Sequence, residues 1–316
     1  MPFPEIKSIL LRAPNWLGDC VMAVPAIKAL RRAYPQARLV VESKAAFSQL
    51  WKAVSGVDEA RSCAYGKGFS AFRSRWHEAI VARSDSFDLG LLLPNSLSSA
   101  WWLWLSNARI RVGTGASGRA PLLTHALPYD ERLRALHQAE WYLKISEMAG
   151  ATWTAKDIVP FKDIPPTMID AALTHVPQAK DSQYAIIAPG SAYGPAKDWL
   201  NERFIELSLR LRKDAGLAVL ITGSPNDAQS AQAIADAAGE GVISVAGKTK
   251  LDSFLGLLAK AKAFIGNDSG AAHCAAASGI PTVSVFGSTQ PSRTKPQGRL
   301  VKCLEAEGIP CRPCLR

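Results

Sequence analysis

The chain has 316 residues, a length that suits two domains of ordinary size, and its 48% hydrophobic and 20% charged content reads as an ordinary soluble globular protein. A formal charge of +10 and a pI near 9.4 would attract nucleic acid, an anionic membrane surface or phosphorylated small molecules. Nucleic acid is the weakest of the three, because neither zinc-finger spacing nor a compact Lys/Arg run is present.

In chain order, Pro2, Pro4 and Glu5 interrupt the amino terminus and the apolar run Ile9–Leu11 is too brief for a signal peptide, so a cytoplasmic location is expected. Ile6–Leu11 reads as a strand and Leu39–Val41 as another. Between them Val21–Tyr34 carries apolar residues at helical spacing (Val21, Val24, Ile27, Ala29, Leu30), which completes a βαβ unit of a parallel sheet. Leu89–Leu93 is a further buried strand. Neither it nor Trp101–Leu105 is long enough to span a bilayer. Leu97, Ala100, Trp101, Trp104 and Leu105 share one helical stripe, expected in the core. Trp102 points off that stripe and is the candidate for a lipid headgroup region. Val112 precedes a Gly-rich turn, and Glu131–Ala149 reads as one long helix ended by Gly150.

The prolines at 160, 165, 166 and 177 loosen the pattern, so residues 161–182 are expected to link a first domain, 1–160, to a second, 183–316, with a short helix at Met168–Leu173 inside the linker. A second alternation follows. Strands at Tyr184–Ala188, Ala218–Thr222, Val242–Val245, Ala263–Ile265 and Thr282–Phe286 are separated by helices at Glu202–Ala215, Ala228–Ala238, Ser253–Ala261 and Ala271–Ser278. Five strands and four helices predict a Rossmann-like sheet. Two such α/β domains facing across a cleft form the GT-B arrangement, which is the expected fold. Six cysteines in such a chain read as reduced thiols.

Four loops follow strands, the edge where open α/β sheets bind ligands. Arg12-Ala-Pro-Asn-Trp-Leu-Gly-Asp19 places a carboxylate at a helix start, where it fits a functional acid or a plain N-cap. Pro189-Gly-Ser-Ala-Tyr-Gly-Pro-Ala-Lys-Asp-Trp199 offers glycines, Ser191 and Lys197 before a helix, as a phosphate cradle or as a surface loop with a solvated lysine. Gly266-Asn-Asp-Ser-Gly-Ala-Ala-His273 turns the amides of Ser269 and Gly270 toward an anion, although Asp268 and Ser269 also suit helix caps and His273 a core position. Gly223-Ser224-Pro225-Asn226-Asp227 is a fourth loop at the same edge. Several such loops on one half describe a nucleotide diphosphate site better than any one alone. A P-loop spacing and a Gly-x-Gly-x-x-Gly after a strand are both absent, which disfavours a P-loop enzyme and a dinucleotide oxidoreductase.

These elements resemble the ADP-heptose transferases of glycosyltransferase family nine. The resemblance rests on the Gly18-Asp19 element, Leu93-Pro-Asn-Ser96, Arg109 to Leu123 with its Arg-x-Arg-x-Gly start, Tyr193-Gly-Pro-Ala-Lys-Asp-Trp199 and Asn267-Asp-Ser-Gly-Ala-Ala-His273. It runs from about Ile9 to Pro291, and its Gly-Pro-Ala-Lys and Pro-Asn-Ser elements point to the heptosyltransferase II branch rather than the I branch. The chain departs from the family in lacking an Arg or Trp within Gly113-Thr114-Gly115. Relatives tend to continue into a closing helix, so the resemblance implies a truncation at Arg316.

The resemblance implies an inverting transfer of L-glycero-D-manno-heptose from ADP-heptose to the first heptose of the lipopolysaccharide inner core. The enzyme would work at the cytosolic face of the inner membrane, in peripheral contact with it. Asp19 matches the family's base, and inversion in one displacement needs only that one base. Donor contacts fall to Ser191, Lys197, Gly223, Ser224, Asp268, Ser269, Gly270 and His273, and acceptor contacts to Asn95, Ser96, Arg109 and Arg119. Arg61, Lys67, Arg73, Arg75 and Arg111 join them as candidates for acidic acceptor groups or as a solvated basic face. No cofactor and no metal are expected: Asp-x-Asp is absent, and Cys303, Cys311 and Cys314 supply fewer ligands than a structural zinc wants. The competing readings are a related GT-B transferase with a different donor or a protein acceptor, and an idle nucleotide-sugar-binding protein.

Overall fold

The computed structural model describes every residue apart from 1–2, 4, 64–68, 160, 162–163, 192–193, 195–196 and 306–316. The chain divides into two compact units, Met1–Pro160 and Phe161–Arg316. In the first, β1 (Ser8–Arg12), β2 (Arg38–Lys44), β3 (Glu59–Cys63), β4 (Leu89–Leu92), β5 (Ile110–Thr114) and β6 (His125–Leu127) form a parallel sheet in the order β3-β2-β1-β4-β5-β6. Its helices are α1 (Leu17–Ala33), α2 (Ser48–Lys52), α3 (Phe69–Ser84), α4 (Leu97–Leu105), α5 (Glu131–Ala135) and α6 (Gln138–Met148).

The second unit repeats the plan. Strands β7 (Tyr184–Ala188), β8 (Ala218–Ile221), β9 (Val242–Ser244), β10 (Ala263–Asn267), β11 (Thr282–Phe286) and β12 (Val301–Glu305) run parallel in the order β12-β11-β10-β7-β8-β9. Around them lie α7 (Pro166–His175), α8 (Asn201–Ala215), α9 (Ala228–Ala238), α10 (Leu251–Lys260), α11 (Gly270–Ala277) and α12 (Pro291–Thr294). Counted from its own first strand, each sheet has the order 3-2-1-4-5-6, so each unit is Rossmann-like. The winding reverses between β1 and β4 and between β7 and β10, and loops leaving the carboxyl ends of those strand pairs border a binding crevice.

Central strands are covered on both faces and therefore appear as unbroken apolar runs. β4 and β7 are buried at every position, and β1 at all but its first. β3, β5, β6 and β12 were not expected from the sequence, and all of these but β5 are sheet edges. An edge strand keeps polar residues, so its hydrophobic signal is short or broken: β6 is the three residues His125–Leu127, and β12 is half exposed.

Three further expectations change. The expected helix 131–149 is two, because Leu136 is extended and His137 caps α6 by accepting the Ala139 amide at 3.2 Å. Residues 161–182, expected as a linker with a short helix at Met168–Leu173, do carry that helix as α7, but it buries Met168 and Ala172 and packs on α10 within the second unit. On α4 the expected stripe holds only in part, with Ala100 buried and Leu105 packed against the core. Trp102, the expected lipid contact, is fully buried with Ser99, Ala100 and Leu103, while Leu97 and Trp104, expected in the core, are about half exposed. Apolar residues surround the whole of α4, so periodicity alone could not choose its inner face. Packing chose it: Trp102 and Leu103 join Leu10, Val40, Leu92 and Ala108 in the core, and Arg12 lies over the Trp102 ring at 4.7 Å.

Candidate active site

In the first unit the loop after β1 is anchored at its root. Ala13 donates its amide to the Glu42 carbonyl at 2.8 Å, and the Cys20 thiol donates to the Pro14 carbonyl at 3.3 Å. Beneath it Arg12 and Glu42 form a buried ion pair at 2.7 Å, with Glu78 3.8 Å from the same guanidinium. Burial pushes the Glu42 carboxyl up to about 7, against the pull of Arg12. The cap of α1 is Trp16, so the plain N-cap reading of Asp19 does not hold. Asp19 sits in the first turn instead, partly exposed. It accepts a hydrogen bond from the buried phenol of Tyr142 on α6. Burial raises the Tyr142 phenol well above its ordinary range, and the neighbouring Asp19 carboxylate adds to the rise, so Tyr142 keeps its proton and donates it to Asp19 while Gln138 bonds the same phenol.

The loop after β4 carries Asn95 and Ser96. Ser96 caps α4, its hydroxyl accepting the Ser99 amide at 3.2 Å. The Asn95 carbonyl accepts from the Thr114 hydroxyl at 2.6 Å and from Arg119 at 3.2 Å, which leaves its amide nitrogen as the group to offer a ligand.

Arg119 is the holder of this turn and not its surface. It is 0% exposed, and its guanidinium donates to the carbonyls of Pro94 and Thr114, to Asn95 and to both the Ser99 and Thr114 hydroxyls. Burial pulls its pKa down to about 10. Arg109 corrects the sequence reading in another way. It precedes β5 and pairs with Asp88 at 3.4 Å, just before β4, so it lies at the amino edge of a parallel sheet whose carboxyl edge carries Asp19 and Asn95. Arg61 is engaged by Glu59 and Asp85, and Arg111 by the carbonyls of Leu122 and Ala108. Lys67 lies outside the described residues.

In the second unit the loops after β7 and β10 are tied together. Asn267 donates to the Pro189 carbonyl at 2.5 Å and accepts the Trp199 amide at 3.0 Å. This brings Lys197 onto Asp268, Nζ to Oδ2 at 2.5 Å, and Thr289 donates to the same carboxylate oxygen at 2.6 Å. Tyr193, Pro195 and Ala196 of that loop lie outside the described residues. Ser191 donates to the Gly194 carbonyl at 3.1 Å. Ser269 holds the N-cap position of α11 but makes no side-chain cap bond, so the amides opening α11 at Gly270 lie next to Asp268. His273 is buried within the first turns of α11.

Ser224 is used locally. Its amide and hydroxyl both bond Asp227 at 2.7 Å, closing a capping box. Asp227 in turn fills the space over two glycines: a Cβ on Gly190 would lie 2.4 Å from its Oδ1, and one on Gly223 2.7 Å from its Cβ. Gly223 therefore serves close packing of two loops.

A family model, glycosyltransferase family 9 (heptosyltransferase), matches residues 79–316. The chain belongs to glycosyltransferase family 9. It is similar to lipopolysaccharide heptosyltransferase 2 of Escherichia coli K12, 29% identical over 297 residues that cover 91% of this chain and 85% of the relative. The lipopolysaccharide heptosyltransferase 2 of Salmonella typhimurium LT2 is 28% identical over 303 residues, with coverage of 91% and 85%. The solved structure of E. coli ADP-heptose lipopolysaccharide heptosyltransferase II matches with a TM-score of 0.84 at 27% identity, covering 94% of this chain and 90% of that one. This family 9 chain is accordingly an α/β glycosyltransferase of the GT-B class, as expected from its motifs.

The sequence reading missed Tyr142, Thr289 and Asn267 as builders of the site, together with the Arg12–Glu42 pair. Asn267 and Thr289 lie within or close to a motif already noted, and a search for polar residues at strand ends would have found them. Tyr142 reaches Asp19 from another helix, and nothing local in the sequence marks it.

Proposed function

We propose that this glycosyltransferase moves L-glycero-D-manno-heptose from ADP-heptose to the first heptose of the lipopolysaccharide inner core, with inversion at the anomeric carbon. One observation carries the reading: at the β7/β10 reversal a lysine, a hydroxyl and the amide end of α11 gather around Asp268, in a family 9 chain whose relatives are named for heptosyl transfer. Lys197 has three N–H donors, so it can hold Asp268 and still donate to a donor phosphate. The amides at Ser269–Gly270 and the dipole of α11 add to that field. Asp268 orients Lys197, and Ser191 and His273 complete the donor loops.

In the transfer, the Asp19 carboxylate takes the proton of the acceptor hydroxyl, whose oxygen bonds the anomeric carbon. The bond from that carbon to the diphosphate oxygen breaks, and ADP departs as an anion stabilised by Lys197 and the α11 amides. The Asn95 amide is the acceptor contact best supported by its surroundings. An acceptor anchored in a membrane calls for peripheral contact with the cytosolic face of the inner membrane. Among the described residues, no helix is long and apolar enough to cross one.

The test is transfer measured with ADP-heptose beside UDP-sugars, on inner-core acceptors with and without the first heptose. The reading expects product from ADP-heptose and the heptosylated acceptor. Turnover from a UDP-sugar, or equal use of both acceptors, overturns it.

A further inference from the structure

Helices α3 and α4 pack side by side and leave a face of aromatic rings in solvent. On α3, Phe72, Trp76 and Ile80 recur every four residues and are 45%, 45% and 43% exposed, while Ala79 and Ala82 on the opposite face enter the core. On α4, Leu97 is 52% and Trp104 49% exposed. Trp101, one turn before Trp104, joins the two helices. Its ring stacks on Phe72 with centroids 5.2 Å apart and lies 5.7 Å from Trp76. Rings of this size left outside a core mark an interaction surface.

The charges select its partner. The charged or titratable residues of α3 are Arg73, Arg75, His77, Glu78 and Arg83, and α4 has none. Glu78, the one carboxylate, turns toward the buried Arg12. Arg73, His77 and Arg83 are exposed, and Arg75 reaches Ser98 at 3.5 Å. The face therefore offers tryptophan and arginine with no exposed carboxylate. Tryptophan prefers the boundary between headgroups and acyl chains, where its ring is buried and its N–H stays wet. Arginine beside it meets lipid phosphates. A second copy of the chain fits poorly, because self-pairing would bring the arginines of both copies together.

We infer that the face formed by Phe72, Trp76, Trp101 and Trp104 seats this protein on an anionic phospholipid bilayer. The rings enter the interfacial layer, and Arg73 and Arg83 engage lipid phosphates. The inference rests on the proposed reading for placing the acceptor in a membrane, and it names the surface that makes the contact.

The experiment is co-sedimentation of the full chain with vesicles of phosphatidylethanolamine and phosphatidylglycerol, beside vesicles of phosphatidylcholine alone. The parent should bind the anionic vesicles and largely ignore the neutral ones. The triple variant Phe72→Ser, Trp76→Ser, Trp104→Ser should lose at least about tenfold in partitioning, since the binding scales with apolar area inserted. Arg73→Gln with Arg83→Gln should lose roughly fivefold per arginine and flatten the salt dependence. Thermal unfolding of each variant confirms its fold, and these exposed positions should leave it unchanged. Transfer to a water-soluble heptosylated acceptor should survive in the triple variant. Equal vesicle binding by parent and triple variant overturns the inference. So does a parent that ignores anionic vesicles and instead forms a dimer that the substitutions break. A parent that binds vesicles through this face yet transfers no heptose upholds the surface and refutes the proposed reaction.

Discussion

The ammonium of Lys197 lies 2.5 Å from the carboxylate of Asp268, two largely buried groups separated by 70 intervening residues and brought together by neighbouring strand ends. The lysine expected to face a diphosphate is thus held ready by a carboxylate, which Thr289 also binds at 2.6 Å.

Lys197→Ala should lower kcat/KM by roughly 100-fold, with donor affinity and turnover falling together, because the charge it offsets is present in the ground state and grows in the transition state. Adding Asp268→Asn should recover stability lost to the orphaned carboxylate without recovering transfer. Steady-state kinetics and thermal melts of the single and double variants check this. Normal kinetics in Lys197→Ala would assign the diphosphate to another cation.

Asp19→Ala should cut turnover by roughly 100-fold or more while ADP binding stays nearly intact, as for loss of a general base. Tyr142→Phe tests the bond that orients it. Losing one hydrogen bond of about 1 kcal/mol should slow turnover roughly fivefold and leave the donor KM alone. Unchanged turnover would mean that Tyr142 only fills space.

Arg119→Ala should destabilise the first unit by about 3 kcal/mol, since it strands the carbonyls of Pro94 and Thr114 and the Asn95 side chain in a buried turn. Denaturant unfolding measures this. A variant of parental stability whose acceptor KM alone rises would restore Arg119 to the acceptor site.

Glu42 gives the stability a pH signature. Its carboxyl titrates near 7 in the folded chain, against an ordinary 4.5, because burial opposes its charge more than Arg12 favours it. The folded state therefore holds a proton that the unfolded state has released. The stability this group contributes is fully present below pH 4.5 and is lost as pH rises through about 7. Melting the parent and Glu42→Gln across that range should show the parent losing ground to the variant as pH rises. A constant gap would show that Glu42 is already ionised throughout, as the full partner of Arg12.

How much of this was legible in the sequence depends on how local each cause is. Central strands such as β1, β4 and β7 are covered on both faces, so burial is written into consecutive residues and the two α/β units could be read directly. The loops after them were legible too, since glycine, serine and a charged residue between a strand and a helix reflect local backbone needs. Asp19, Lys197 and Asp268 are all in such loops. The tertiary structure decided whatever depends on a partner distant in the chain. It sent Arg119 inward, because four neighbours from the 94–99 turn and Thr114 converge on its guanidinium. It put Tyr142 on Asp19, because α6 packs against α1. It also chose between Trp102 and Trp104 on a helix apolar all round, because only one face of α4 meets Leu10 and Leu92. Sequence periodicity records that a helix is apolar, but the side that finds the core is set by the sheet beneath it.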